Sequence, residues 1–270
     1  MKGALIATVP GDGDHILACN FASANKIRIN PDVTTYDSEA VNFAPSENDD
    51  YINSPKELVK SQKEGYTVPL KEIKDGKLTG KIINKKIDGC TTWTPGDKVV
   101  ADAKLSGFIG VCSTKDFNNQ MATSLITIQE FALENEKDFV NILKGTYIAN
   151  NQIKLYDEWA RKAADAVQKT YNQYDSKYWY EMFKGDKIAS MGSTDMQLGG
   201  TRVFNYADAL QYYGISDGTN RYKPVYNQVS KYLTELNPCG FNSVCKNGPI
   251  PFDEAVNTYF LKSINDIDVG

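Results

Sequence analysis

Ala4-Leu5-Ile6-Ala7-Thr8-Val9, then Pro10-Gly11-Asp12-Gly13-Asp14, then His15-Ile16-Leu17-Ala18-Cys19-Asn20-Phe21, is the stretch that decides the class of fold. A short continuous apolar run closed by turn residues reads as a buried strand. Pro10 to Asp14 is a tight turn, and His15 to Asn25 follows as a helix with Asp14 as its candidate N-cap. Strand, glycine-rich turn and helix in that order open an α/β unit. Pro10 cuts the apolar run and no small-residue cleavage site follows, so the run reads as a first strand rather than a signal peptide.

Outward from this unit, Asp37 to Phe43 reads as a second strand. Ser54-Pro55-Lys56-Glu57 reads as a helix start with Ser54 as cap, and that helix ends by Gly65. Lys71 to Ile83 carries Asp75-Gly76 between polar flanks, which predicts an exposed hairpin. Ile87 to Trp93, Phe108 to Cys112 and Ser124 to Gln129 are further strand candidates, and Lys98 to Ala103 is a short helix. From Glu136 onward the pattern is helical. Phe139, Ile142, Leu143, Thr146 and Tyr147 form one stripe. Ile153, Tyr156, Ala160, Ala163, Ala164, Val167 and Tyr171 form another. Tyr178 to Lys184, Phe204 to Tyr213, Pro224 to Leu236 and Phe252 to Ile264 are further helices. These patterns predict an α/β lobe over residues 1–113 and a helix-rich part over 114–270.

The 270 residues include 30 Lys plus Arg and 34 Asp plus Glu, a net charge of −4. An acidic chain is a poor fit to nucleic acid, which needs a basic face. No run approaches the eighteen or so apolar residues of a membrane span. Five cysteines and a single histidine, His15, give no zinc-site spacing. Cys239 and Cys245 flank a turn-rich loop that reads either as a disulfide in an oxidising compartment or as two thiols. No cofactor motif stands out. Gly11-Asp12-Gly13 lacks the third glycine of a dinucleotide fingerprint, and no Gly-Lys-Ser/Thr follows it.

Two constellations carry possible chemistry. The Gly11-Asp12-Gly13-Asp14-His15 turn lies between a strand and a helix, where backbone N–H groups suit an anion. Its two aspartates suit an amine or hydroxyls instead, and a plain chain reversal is the bland reading. Thr91-Thr92-Trp93-Thr94-Pro95-Gly96-Asp97 puts a tryptophan between hydroxyls at a strand end, fit to stack on a ligand or to anchor a core. His15 and Cys19 are one turn apart, but no third group marks them as a nucleophile–base pair.

The order of these motifs resembles the type 2 periplasmic substrate-binding proteins of ABC transporters, in the branch associated with nitrate, sulfonate or phosphate-like ligands. The resemblance rests on Ala4 to Phe21, on Lys86-Ile87-Asp88-Gly89-Cys90-Thr91-Thr92-Trp93-Thr94-Pro95-Gly96, and on Ser113-Thr114-Lys115-Asp116-Phe117. The helix after Glu136 and Leu198-Gly199-Gly200-Thr201-Arg202-Val203-Phe204-Asn205-Tyr206-Ala207-Asp208-Ala209-Leu210-Gln211 complete it. It implies a periplasmic or cell-surface receptor that binds a small polar or anionic solute in an interlobe cleft, without chemistry and without a cofactor, and that serves an ABC permease. The implied ligand-binding residues are Gly11, Asp12, Gly13, Asp14, His15, Thr92, Trp93 and Thr94, with Arg202 as a fork for a carboxylate or sulfonate. Compared with that family, the opening strands of the first lobe have no counterpart, which implies a one-and-a-half-lobe chain with self-association or a separate completing segment. A following OmpA-like domain, as in some relatives, is a further expectation. Two other classes stay open. A structural or surface-interaction module would keep the fold without a working cleft. An enzyme related to the pyrimidine synthases would need their cysteine-rich motif, which is absent.

Overall fold

The computed structural model describes residues 1–117, 124–185, 187–191, 194–200, 203–237, 241–265 and 267. The architecture is mixed α/β. In chain order the elements begin with β1 (Leu5–Thr8), α1 (Gly13–Ala24), β2 (Thr35–Asp37), β3 (Asn42–Pro45), a 3-10 turn (Glu47–Asp49) and α2 (Asn53–Glu64). They continue with β4 (Thr67–Lys74), β5 (Lys77–Lys86), β6 (Gly89–Cys90), α3 (Gly96–Ala103), α4 (Gln129–Glu134), α5 (Glu136–Leu155), α6 (Asp157–Tyr171) and α7 (Ser176–Lys184). The rest is β7 (Lys187–Met191), β8 (Thr194–Leu198), α8 (Tyr206–Tyr212), α9 (Tyr222–Leu236), α10 (Phe241–Val244), α11 (Phe252–Ala255) and α12 (Tyr259–Lys262). No helix of the described residues is long and apolar enough to cross a membrane.

The chain packs as two units. One comprises Met1–Gln120, Ile188–Met196 and Gln228–Pro249; the other comprises Met121–Lys187, Gln197–Asn227 and Ile250–Gly270. The expected division at residue 113 falls shortly before the end of the first long run, and the second half of the chain contributes to both units.

In the first unit a parallel sheet has the order β3-β1-β6. Ile6 lies opposite Phe43 and Gly89, and Ala7 opposite Ala44 and Cys90. Every residue of β1 is buried, as a strand covered on both faces requires. Leu5, Ala7 and Ala44 join Leu58 of α2 with Leu70, Ile87 and Leu105 in one core cluster. The alternate face carries Phe43, whose ring meets His15 of α1 edge-on at 4.4 Å. A second sheet, β2-β4-β5, pairs β2 and β4 in parallel and closes β4 and β5 as a hairpin. Its turn is Asp75-Gly76 with φ of 52° and 73°, the left-handed pair that a two-residue hairpin needs. Gly65, at φ 79°, ends α2 where expected.

Several expectations are corrected here. Asp37 to Phe43 is not one strand: β2 and β3 belong to different sheets. The buried Asn42 side chain holds the break. Its Nδ2 donates to the carbonyls of Asp37 (2.9 Å) and Ala40 (3.1 Å), and its Oδ1 accepts from Asp37 N at 2.7 Å. α2 starts at Asn53 rather than after a Ser54 cap, and Glu57 accepts from Glu47 N at 2.8 Å instead of closing a capping box. Ile87 to Trp93 shortens to β6 at Gly89–Cys90. Phe108 to Cys112 and Ser124 to Gln129 form no strand, and Gln129 instead opens α4; Phe108 packs against the first core cluster.

The second unit is helical, with α6 packed on α5 and α7. Leu143 and Tyr147 of the first predicted stripe pack against a core of Ala209, Leu261 and Ile264, while Ile142 is exposed. Ala160 and Ala164 of the second stripe are buried; Tyr156 and Tyr171 are not. The predicted helix over Phe252 to Ile264 is two short helices, because Asn257 Oδ1 accepts from Tyr259 N at 2.8 Å and restarts the chain as α12. The Leu198 to Gln211 motif has a structural explanation over its described part. A Cβ on Gly199 would come within 2.1 Å of the Met182 carbonyl, and Gly200 N donates to that same oxygen at 2.7 Å. Asn205 and Asp208 then form a reciprocal capping box on α8.

Candidate functional site

The carboxyl ends of β1, β3 and β6 bring Thr8, the Gly11–His15 turn and the Thr91–Thr94 segment together within the first unit. In an open parallel sheet this is the edge where ligands gather. The turn itself follows from Gly11 at φ 86°, a conformation that favours glycine.

Asp12, not Asp14, is the N-cap of α1. Its backbone is extended, at φ −77° and ψ 168°, and Oδ1 accepts from Gly13 N at 2.7 Å. Its other oxygen, Oδ2, accepts from the Trp93 indole Nε1 at 3.2 Å. Trp93 is 39 % exposed, so an indole face and a carboxylate share one partly open surface.

Asp14 is turned inward. Oδ2 accepts from Thr91 Oγ1 at 2.9 Å, and Thr91 Oγ1 in turn lies 2.6 Å from Thr8 Oγ1. One hydroxyl proton per threonine orders this chain: with Asp14 ionised, Thr8 donates to Thr91 and Thr91 to Asp14. Burial pushes the Asp14 carboxyl up to about 6, the nearby Asp12 charge adds to the rise, and the Thr91 bond opposes it.

His15 is buried beside it. Nδ1 accepts from Gly11 N at 3.0 Å, so in the neutral ring the proton sits on Nε2. That buried Nε2 has no hydrogen-bond partner among the described residues. Burial lowers the His15 pKa to about 4. Burial also raises the Cys19 thiol to about 12, and burial with the Asp14 charge does the same for Cys90. A neutral histidine and two unionised thiols leave no activated nucleophile among these three groups.

The remaining predicted residues divide. Thr92 Oγ1 donates to the Tyr51 carbonyl at 2.8 Å, which ties β6 to the segment before α2. Thr94 Oγ1 donates to Asp97 Oδ2 at 2.7 Å, inside the first turn of α3. Gly11 and Gly13 form the turn. Arg202 and Thr201 lie outside the described residues, as do Cys239 and with it the disulfide expected with Cys245. Thr8 and Thr91 enter as a hydroxyl relay that the candidate set did not contain. The signal for Thr91 was present in the hydroxyl run Thr91-Thr92-Trp93-Thr94; for Thr8 it was the polar end of an apolar strand. Among the described residues no group of three or more His, Cys, Asp or Glu side chains is placed to hold a metal ion.

No protein-family model, curated protein or solved structure matches this chain.

Proposed function

We propose that this chain is a non-catalytic receptor for a small polar solute bearing an amine or hydroxyls, bound at the carboxyl edge of the β3-β1-β6 sheet. The observation that carries the reading is the Asp12–Trp93 pair: a carboxylate and a partly exposed indole side by side. A carboxylate next to an aromatic face suits an ammonium group by charge and by cation–π attraction. Hydrogen bonding within the turn supports an amine or hydroxyl over an anion. Gly11 N is bonded to His15, Gly13 N to Asp12 and His15 N to Asp14 Oδ1, so those donors of the helix start are already used. The protonation states support binding over chemistry. Resemblance to the ABC-transporter binding proteins adds a permease partner and a periplasmic or cell-surface location to the proposal.

The same internal satisfaction favours a second reading, in which the turn is only architecture and the chain is a surface-interaction module. Replacing Trp93 by alanine separates the two. The receptor reading expects affinity for a stabilising amine or polyol, found in a thermal-shift panel, to fall by roughly 1–3 kcal/mol. Folding stability should fall by much less than the ~3–5 kcal/mol of a buried aromatic. A core-sized loss of stability with unchanged affinity would assign Trp93 to the architecture and overturn the receptor reading.

A further inference from the structure

The β4–β5 hairpin carries a charge opposite to that of the chain. Lys71, Lys74, Lys77, Lys81, Lys85 and Lys86 stand against only Glu72 and Asp75. None of the six lysines forms an ion pair with a described residue. Lys85 lies over the Tyr36 ring at 4.7 Å, which leaves its charge uncancelled. Within this basic strand Leu78 and Ile82 are 61 % and 69 % exposed. Ile83 lies opposite the buried Leu70, so strand alternation turns Ile82 to the other face, away from the core, with its cross-strand partner Lys71 and with Lys86, while Lys81 and Lys85 alternate to the Ile83 face.

We propose that this hairpin is a docking surface for an anionic lipid bilayer, with Leu78 and Ile82 entering the interface, Lys71 and Lys86 on the same face at the headgroups, and the remaining lysines adding to the attraction from the tip and the opposite face. Clustered lysines near a negatively charged leaflet attract it, and exposed apolar side chains among them add insertion. Two other anionic partners fit the hairpin less well. Residues 67–86 contain no aromatic residue on which a nucleic-acid base could stack. An acidic peptide added as a strand would need a regular edge, but Gly80 sits at φ 81° and the ladder shifts register between Lys71 and Ile73. The proposal shares no residue with the Asp12–Trp93 edge and stands independently of the receptor reading.

Co-sedimentation of the full chain with vesicles tests it. Phosphatidylglycerol–phosphatidylcholine vesicles should bind the protein at low salt, pure phosphatidylcholine vesicles should not, and binding should fall as salt screens the charges. At about fivefold per lysine, the double variant Lys71→Gln/Lys86→Gln should weaken partitioning about twenty-five-fold. Leu78→Ser/Ile82→Ser should weaken it about tenfold. These four side chains are exposed, so thermal midpoints should match the parent. The proposal is overturned by absence of binding to the anionic vesicles, by binding indifferent to both variants, or by a serine variant that binds as the parent does while the glutamine variant fails. That last pattern would mark a soluble acidic polymer as the partner.

Discussion

Phe43→Ala is expected to cost about 3–5 kcal/mol of folding stability, the range for deleting a buried aromatic whose site cannot fully collapse. Phe43 is 1 % exposed, lies opposite Ile6 in the sheet and forms one wall of the His15 site. Its loss therefore has a second consequence. With the ring gone, water or looser packing reaches the imidazole, and the His15 pKa should climb from about 4 toward its ordinary 6.5. His15 is the only histidine, so its ring protons give one unambiguous titration by NMR. Denaturant unfolding measures the first effect through the midpoint. A loss below about 1 kcal/mol would mean that this face of the sheet is not the packed core described above.

The second large effect is a pair of opposed pH dependences. The Asp14 carboxyl titrates near 6 in the folded chain and at 3.8 as its reference, so the folded state holds the proton more tightly. Its contribution is fully present at low pH and is lost as pH rises from about 4 to about 6. His15 titrates near 4 when folded against 6.5 as its reference, so the unfolded state binds the proton more tightly. Its contribution is lost as pH falls from about 6.5 to about 4. Each shift corresponds to about 3 kcal/mol, and the two nearly cancel across the same window. Asp14→Asn should therefore expose a stability that rises by about 3 kcal/mol between pH 4 and 6.5 relative to the parent, and His15→Gln one that falls by a similar amount. Comparison with the parent at each pH removes the other titrating groups. Slopes of the same sign in both variants would contradict the assigned protonation states.

The parts of this fold that could be read in the sequence are those where local chemistry and tertiary packing agree. Leu5 to Ala7 is apolar because both faces of the strand are covered, and Pro10 and Gly11 then end the run. Asp75-Gly76 announces its hairpin because few other dipeptides tolerate two positive φ values. The readings that failed depended on distant partners. Asp12 and Asp14 are equally good caps in isolation; Thr91, far along the chain, draws Asp14 inward and leaves the cap to Asp12. Asp37 to Phe43 alternates like a strand, yet Asn42 spends its side chain on the turn that divides it. Ser124 to Gln129 has β-forming composition, but a strand also needs a neighbour, and composition does not name one. For the site, the turn and Trp93 were visible as residue types. The pairing of the Trp93 indole with Asp12, across 81 residues, was not.

Recognition of an amine or hydroxyls at the Asp12–Trp93 edge is open to a thermal-shift comparison. Small primary amines, diamines and polyols would be screened beside nitrate, phosphate and small sulfonates, on the parent, on Asp12→Asn and on the exposed control Asp102→Asn. An amine or polyol should raise the melting temperature of the parent and of Asp102→Asn by mass action, and Asp12→Asn should abolish the rise. Stabilisation by the anions alone, or by an amine equally in the parent and in Asp12→Asn, would contradict it.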